Sequence, residues 1–203
     1  MTKEPLEEYL CYPEHSGDNQ TAKRYRVLIA DAHPTTRRGL IANLAVVPEV
    51  EFCGEAEDGR KAVRFARRKK PDLVITGLNF RDASGIGIVR AIRTILPKTE
   101  VLIVTCHDSL EVARIALRAG ARGFLGKSDS NQELIDAVYK VRERRFYIRA
   151  KLSPILQEET ERMAARNASP DFTLTRQEMV AVLARSQVKL RAHFLDILKL
   201  GSQ

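Results

Sequence analysis

The sequence predicts an α/β chain: a parallel five-stranded sheet with helices on both faces, followed by a small helical C-terminal region. Three observations predict it. Between Tyr25 and about residue 150, short apolar runs alternate strictly with longer segments of helical period, five times over. Most of the runs are apolar throughout, as strands covered on both faces are. Beyond residue 171 the helical period returns without any further strand-like run.

The elements follow in order. Residues 1 to 22 are polar, Glu-rich and without apolar period, which is the pattern of a mobile tail. Val27-Leu28-Ile29-Ala30 is the first strand. The helix after it carries Leu40, Ile41 and Leu44 on one face and starts near Pro34, a residue that fits a first helical turn. Val50 to Gly54 is the second strand. Asp58 then precedes a helix burying Ala62, Val63 and Ala66, with Lys61, Arg64, Arg67 and Arg68 on its other face. Leu73-Val74-Ile75 is the third strand, and Ile88, Ala91, Ile92 and Ile95 mark the third helix. Val101-Leu102-Ile103-Val104 is the fourth strand. Leu110, Ala113, Ala116 and Leu117 mark the fourth helix, with Gly120 as its stop. Gly123-Phe124-Leu125 is the fifth strand, and Ser130 with Glu133 forms a capping box for a last helix burying Leu134, Ile135 and Val138. This unit runs over residues 23–150. Residues 151–171 read as a linker whose first half, around Pro154 and Gln157-Glu158-Glu159, suits a short helix.

Composition narrows the function classes. The 203 residues are 44% hydrophobic with no Trp, so aliphatic side chains must build the core. Cys11, Cys53 and Cys106 lack the number and spacing of a disulfide framework or zinc site. They read as ordinary thiols in a reducing cytosol, and Cys106 has a lesser reading as a redox-sensitive thiol. No stretch has the apolar length to span a membrane, and the N-terminus lacks the pattern of a signal peptide, so a cytoplasmic location is expected. The net charge of +8 fits a solvated basic surface, or contact with nucleic acid or an acidic partner.

In a parallel sheet of this kind the functional site lies at the carboxyl ends of the strands. The residues there are Asp31 and Ala32, Gly77, Thr105 and Lys127. RVLIADAHPTTRRGL, GEAEDGRKAV, PDLVITGL and AGARGFLGK, in this order and spacing, resemble the receiver domain of two-component response regulators. The closest flavour is the NarL/FixJ subfamily with a LuxR-type helix-turn-helix. The resemblance covers about residues 24 to 150 and implies a flavodoxin-like (βα)5 fold. It also implies a phosphoacceptor pocket of two acidic residues after the first strand, an acceptor Asp after the third, a hydroxyl after the fourth and a lysine after the fifth. Here the acidic pair reads Asp31-Ala32, the acceptor position is Gly77, the hydroxyl is Thr105, the lysine is Lys127, and Phe124 matches an aromatic switch position. The loop that usually runs Met-Pro-Gly reads Phe80-Arg81-Asp82.

Glycine supplies no nucleophile for phosphoryl transfer. Thr76 should point to the other face of the sheet, and Asn79 is a poor nucleophile. Mg²⁺ prefers several carboxylate oxygens. With Asp31 alone facing Lys127, the pocket should be close to neutral, so a direct or water-bridged Asp31–Lys127 pair and no specific Mg²⁺ site are expected. Neither a catalytic residue nor a cofactor is expected. Thr105 has a plainer reading as a strand-end hydroxyl satisfying backbone, and Phe124 as core.

Residues 172–203 resemble the LuxR-type DNA-binding domain in two fragments. Leu174-Thr175 with Glu178 looks like its first helix, and Ser186 to Gly201 like its recognition helix. Leu190, Phe194, Ile197 and Leu198 share a helical face, and Lys189, Arg191 and His193 are the candidates for DNA contact. Roughly a dozen residues of the family pattern are missing between the fragments, among them the helix that supports the recognition helix. The leading expectation is therefore a phosphorylation-independent regulator acting through a partner protein or a homodimer. The rival is a DNA-binding transcription factor whose receiver dimerises it. A true phosphoacceptor switch and a truncated paralogue are the remaining alternatives.

Overall fold

The computed structural model describes residues 24–149 and 152–165. The expectations for residues 1–22 and 172–203, with Lys189, Arg191 and His193, lie outside them. Strands and helices alternate as β1 (Tyr25–Ala30), α1 (Pro34–Leu44), β2 (Val50–Ala56), α2 (Gly59–Lys69), β3 (Leu73–Thr76), α3 (Gly85–Ile95), β4 (Glu100–Thr105), α4 (Leu110–Arg118), β5 (Gly123–Gly126), α5 (Asn131–Arg142), β6 (Tyr147–Ile148) and α6 (Ser153–Ala165). The sheet is parallel with strand order β2-β1-β3-β4-β5-β6. It therefore has six strands, not the five expected. The sixth is two residues long, too short to leave an alternating pattern, and pairs with β5 through Gly123–Tyr147 and Phe124–Ile148.

The alternation works because each buried strand feeds both faces. Val27, Ile29, Leu73, Ile75, Leu102 and Val104 pack with Leu40 and Leu44 of α1 and Leu134, Val138 and Val141 of α5. Their neighbours Leu28, Ala30, Val74, Val101 and Ile103 pack with α2, α3 and α4. The period-2 geometry of a strand sends successive side chains to opposite layers. The helix boundaries follow local chemistry. Pro34 sits in the first turn of α1. Asp58 accepts from the Lys61 backbone N–H at the start of α2. Ser130 and Glu133 form the reciprocal capping box of α5. Gly120, with φ of 106°, takes the left-handed conformation that ends the α4 segment.

Some assignments shift. β2 runs to Ala56, and its pairing with β1 slips between Val27 and Leu28, which leaves Cys53 as the extra residue of a bulge. On α3, Ile88 and Ile92 are buried, but Ile95 is 42% exposed, and Ile86 and Val89 complete the face instead. Ile95 is the last residue of α3. The first half of the expected linker is α6, whose Leu156 is fully buried against the α2–α4 layer. Among the described residues no helix is long and apolar enough to cross a membrane.

Candidate functional site

The parallel strands end together, so the residues following β1, β3 and β5 converge with the last residue of β4. The backbone sets this: Gly77 N–H donates to Ala30 O at 2.8 Å, and Lys127 N–H donates to Thr105 O at 2.8 Å. Asp31 follows β1 and is 3% exposed. Lys127 follows β5, and its Nζ lies 2.7 Å from Asp31 Oδ2. The structure thus joins the two residues directly, the first of the two arrangements expected from their charges.

Gly77 makes that pairing possible. A Cβ built on Gly77 would land on Asp31 Oδ2, so any other residue there would compete with the aspartate for its place. The carboxylate occupies the volume that a side chain at position 77 would fill. Its second oxygen is also engaged: Asp31 Oδ1 accepts from the His33 backbone N–H at 2.8 Å and faces His33 Nδ1 at 3.2 Å. Lys127 in turn donates to the Thr36 hydroxyl at 3.2 Å. A buried charge costs several kcal/mol unless paired and hydrogen-bonded, and here both members are.

The fit to Mg²⁺ is poor. Among the described residues Asp31 is the carboxylate paired with Lys127, both of its oxygens are engaged, and Ala32 offers no side-chain ligand atom. Among the described residues no group of three or more His, Cys, Asp or Glu side chains converges as a metal would need. A cation binding Asp31 would have to displace Lys127.

The remaining expected residues are placed as follows. Thr105 is 2% exposed, and its hydroxyl accepts from the His107 backbone N–H at 3.0 Å, the satisfying of backbone groups that its plainer reading gave. Thr76 is fully buried and donates its hydroxyl to Gly77 O at 3.0 Å, so it offers the site no nucleophile. Phe124 is fully buried in the α2–α4 layer. Ala32 packs half-buried against the same layer. Cys106 is exposed, while burial pushes the Cys53 thiol up and Cys53 Sγ donates to Val27 O.

Several residues escaped the sequence reading. Thr36 shares Lys127, and Arg37 joins Glu55 at 3.0 Å while donating to Asp31 O at 2.9 Å. Asp82, in the loop that departs from the family pattern, accepts from the Gly59 and Arg60 backbone N–H groups, both at 2.9 Å. It ties the β3–α3 loop to the start of α2, where unpaired N–H groups favour an anion. Arg149, 8% exposed, pairs with Asp108 and, at 2.7 Å, with Asp129, so the segment after β6 joins the β4–α4 loop to the β5–α5 loop. Asp129 also receives Gly126 N–H at 2.8 Å. These pairings join different elements and loops of the fold and leave no spacing signal. Asp82 is the exception: its position before Ser84, the N-cap of α3, marks it as turn chemistry.

The family model of the response regulator receiver domain matches residues 27–139. The chain is 31% identical over 120 residues to the probable transcriptional regulatory protein NarL of Mycobacterium tuberculosis, covering 59% of this chain and 56% of that protein. It is 34% identical over 115 residues to the uncharacterized transcriptional regulatory protein YxjL of Bacillus subtilis, covering 57% of this chain and 53% of that one. The chain thus spans about half the length of these curated relatives. Among solved structures, the signal receiver domain of the putative response regulator NarL from Mycobacterium tuberculosis superposes with a TM-score of 0.59 at 30% identity, covering 61% of this chain and all of that one. With the receiver model matching more than half of its length, and with a six-stranded parallel sheet of flavodoxin-like design, the chain belongs to the response regulator receiver family.

Proposed function

We propose that this chain is a phosphorylation-independent response regulator, whose receiver works through protein contacts or self-association in signal transduction and transcriptional regulation. The observation that carries the reading is the Asp31–Lys127 pair lying in the space above Gly77. Phosphoryl transfer needs a nucleophilic oxygen and a cation to spread the developing charge. Position 77 has no side chain, the neighbouring Thr76 hydroxyl donates to backbone, and the Asp31 carboxylate is paired with Lys127. Arg149 further holds the two loops beside Thr105 and Lys127 to the sheet edge, which favours one fixed conformation. Incubation with acetyl phosphate and Mg²⁺ should leave the mass of the intact chain unchanged. Beryllofluoride should leave its melting midpoint unchanged. Stable phosphate incorporation at any Asp, or at Thr105, would sink the proposal.

A second reading is favoured by the names of the relatives, which are transcriptional regulatory proteins, and by the basic residues 172–203. On that reading the chain is a LuxR-family DNA-binding factor, with Lys189, Arg191 and His193 at the DNA. A sequence-selective shift of one promoter fragment over scrambled duplex, lost in a Lys189→Ala/Arg191→Ala variant, would favour it.

A further inference from the structure

Helix α2 is unlike every other helix of the fold. Six of its eleven residues are Arg or Lys and none is acidic. Its buried side is made of Gly59, Ala62 and Ala66, so the cations are left to the opposite side. Arg60, Arg64, Arg67 and Arg68 are all exposed, and at 100° per residue they share one face about 100° wide. Among the described residues Lys61 is paired, with Glu57 at 2.9 Å, but no carboxylate lies within ion-pairing distance of those four arginines. Phe65 lies at the edge of this face, half-buried against the core. Lys61 Nζ, Arg64 and Arg68 stand 5.4, 5.8 and 5.3 Å from its ring centroid. Such contacts orient cations without neutralising them.

Concentrating like charge on one helix face is unfavourable unless something offsets it. Three kinds of occupant are disfavoured by the face itself. A membrane surface would need an apolar side to enter the acyl boundary, and α2 turns its apolar side to the core. A protein partner would need an apolar anchor at the centre of the patch, and Phe65 is flanked by cations and half-buried. A second copy of this chain would bring like charge to like charge. A rod of evenly spaced phosphates needs none of these things. Arg60 to Arg68 spans about 12 Å along the helix axis. Over that length one strand of a duplex presents roughly three to four phosphates.

We propose that the outward face of α2 binds the phosphate backbone of duplex nucleic acid without reading its sequence, through Arg60, Arg64, Arg67 and Arg68. The face lies on the receiver unit itself, outside the C-terminal segment of the second reading above, and needs neither that segment nor the Asp31–Lys127 pocket. Arginine suits the role because its fork can grip a phosphate with two N–H groups.

The test is fluorescence anisotropy of the full chain with a random-sequence duplex, titrated with KCl between about 50 and 200 mM. Four phosphate contacts make affinity fall by roughly a hundredfold across that range. Arg60→Gln/Arg64→Gln/Arg67→Gln/Arg68→Gln should lower the slope of log affinity against log salt by about 3 to 4, and the four Arg→Lys changes should preserve most of it. If the quadruple variant melts early, Arg67→Gln/Arg68→Gln should remove about half of the effect. Lys189→Gln/Arg191→Gln serves as the comparison in the tail. An unchanged slope in both α2 variants overturns the proposal, as does stronger competition by polyglutamate or phosphatidylserine vesicles than by unlabelled duplex at equal charge. Failure here would leave the phosphodonor result untouched, and the reverse holds too.

Discussion

The ends of the strands and the outer face of α2 treat positive charge in opposite ways. At the strand ends one lysine meets one aspartate that is 3% exposed, at 2.7 Å, with a hydroxyl and a backbone N–H engaging what remains. On α2 four arginines stand in solvent with no carboxylate opposite them among the described residues. Burial explains the difference. In a poorly solvated site an unpaired charge costs several kcal/mol, so the buried Asp31 is held by Lys127 on one oxygen and by the His33 N–H on the other. In water the same charge costs little to leave open, and what it does is determined by what approaches it. The pocket charges are thus satisfied within the chain, while those of the open face are left to solvent.

The comparison breaks most severely at Lys127. Lys127→Met leaves Asp31 buried without its cation. The loss should be about 3 kcal/mol, the lower end for a broken buried pair because the lysine side chain is 20% exposed. For a chain of this size that lowers the thermal midpoint by roughly 6 to 12 °C. Asp31→Ala/Lys127→Met should recover most of the loss, because it removes both charges instead of stranding one. A Lys127→Met midpoint equal to that of the parent would show that the pair contributes nothing.

A smaller change sharpens the role of the glycine. Gly77→Ala places a methyl group where Asp31 Oδ2 now sits, and Asp31 is held on its other oxygen by the His33 N–H. Forcing that carboxylate aside should cost about 1 to 3 kcal/mol. Gly39→Ala is the matched control, since a Cβ there meets nothing within 4 Å and Gly39 lies inside α1. It should stabilise by about 0.5 to 1 kcal/mol. Urea unfolding of the two variants side by side measures the difference, and equal midpoints would mean that position 77 is not crowded by Asp31.

Much of this was readable from the residues alone. The inner strands β3, β4 and β5 announced themselves because both faces are covered, and the caps at Asp58 and Ser130 because side-chain oxygens must satisfy the first N–H groups of a helix. The pocket was readable as well, since strand ends in a parallel sheet converge and charge must balance there. β6 was not, because two residues cannot display a period and its pairing comes from the edge of β5. Arg149 was equally silent: its partners Asp108 and Asp129 sit on loops brought near it only by the fold. Asp82 showed that a departure from a family pattern need not be a loss, for it binds the start of α2 through two backbone N–H groups.

The smallest predicted effect is the one that makes the contrast quantitative. Arg64→Ala/Arg67→Ala removes two charges from α2, as many as the Asp31/Lys127 double variant removes from the pocket. Both positions are exposed and neither pairs with a carboxylate among the described residues, so no partner is stranded. Alanine is also at least as good a helix former as arginine. The change in stability should therefore fall within about 0.5 kcal/mol, and relief of like-charge repulsion at low salt should make it slightly favourable. Thermal melts at low and high salt measure both parts. The low-salt gain should fade as salt screens the helix face. A loss above about 1 kcal/mol would mean that these arginines hold the fold together through contacts within the chain, and the face would then be structural, not free for a partner.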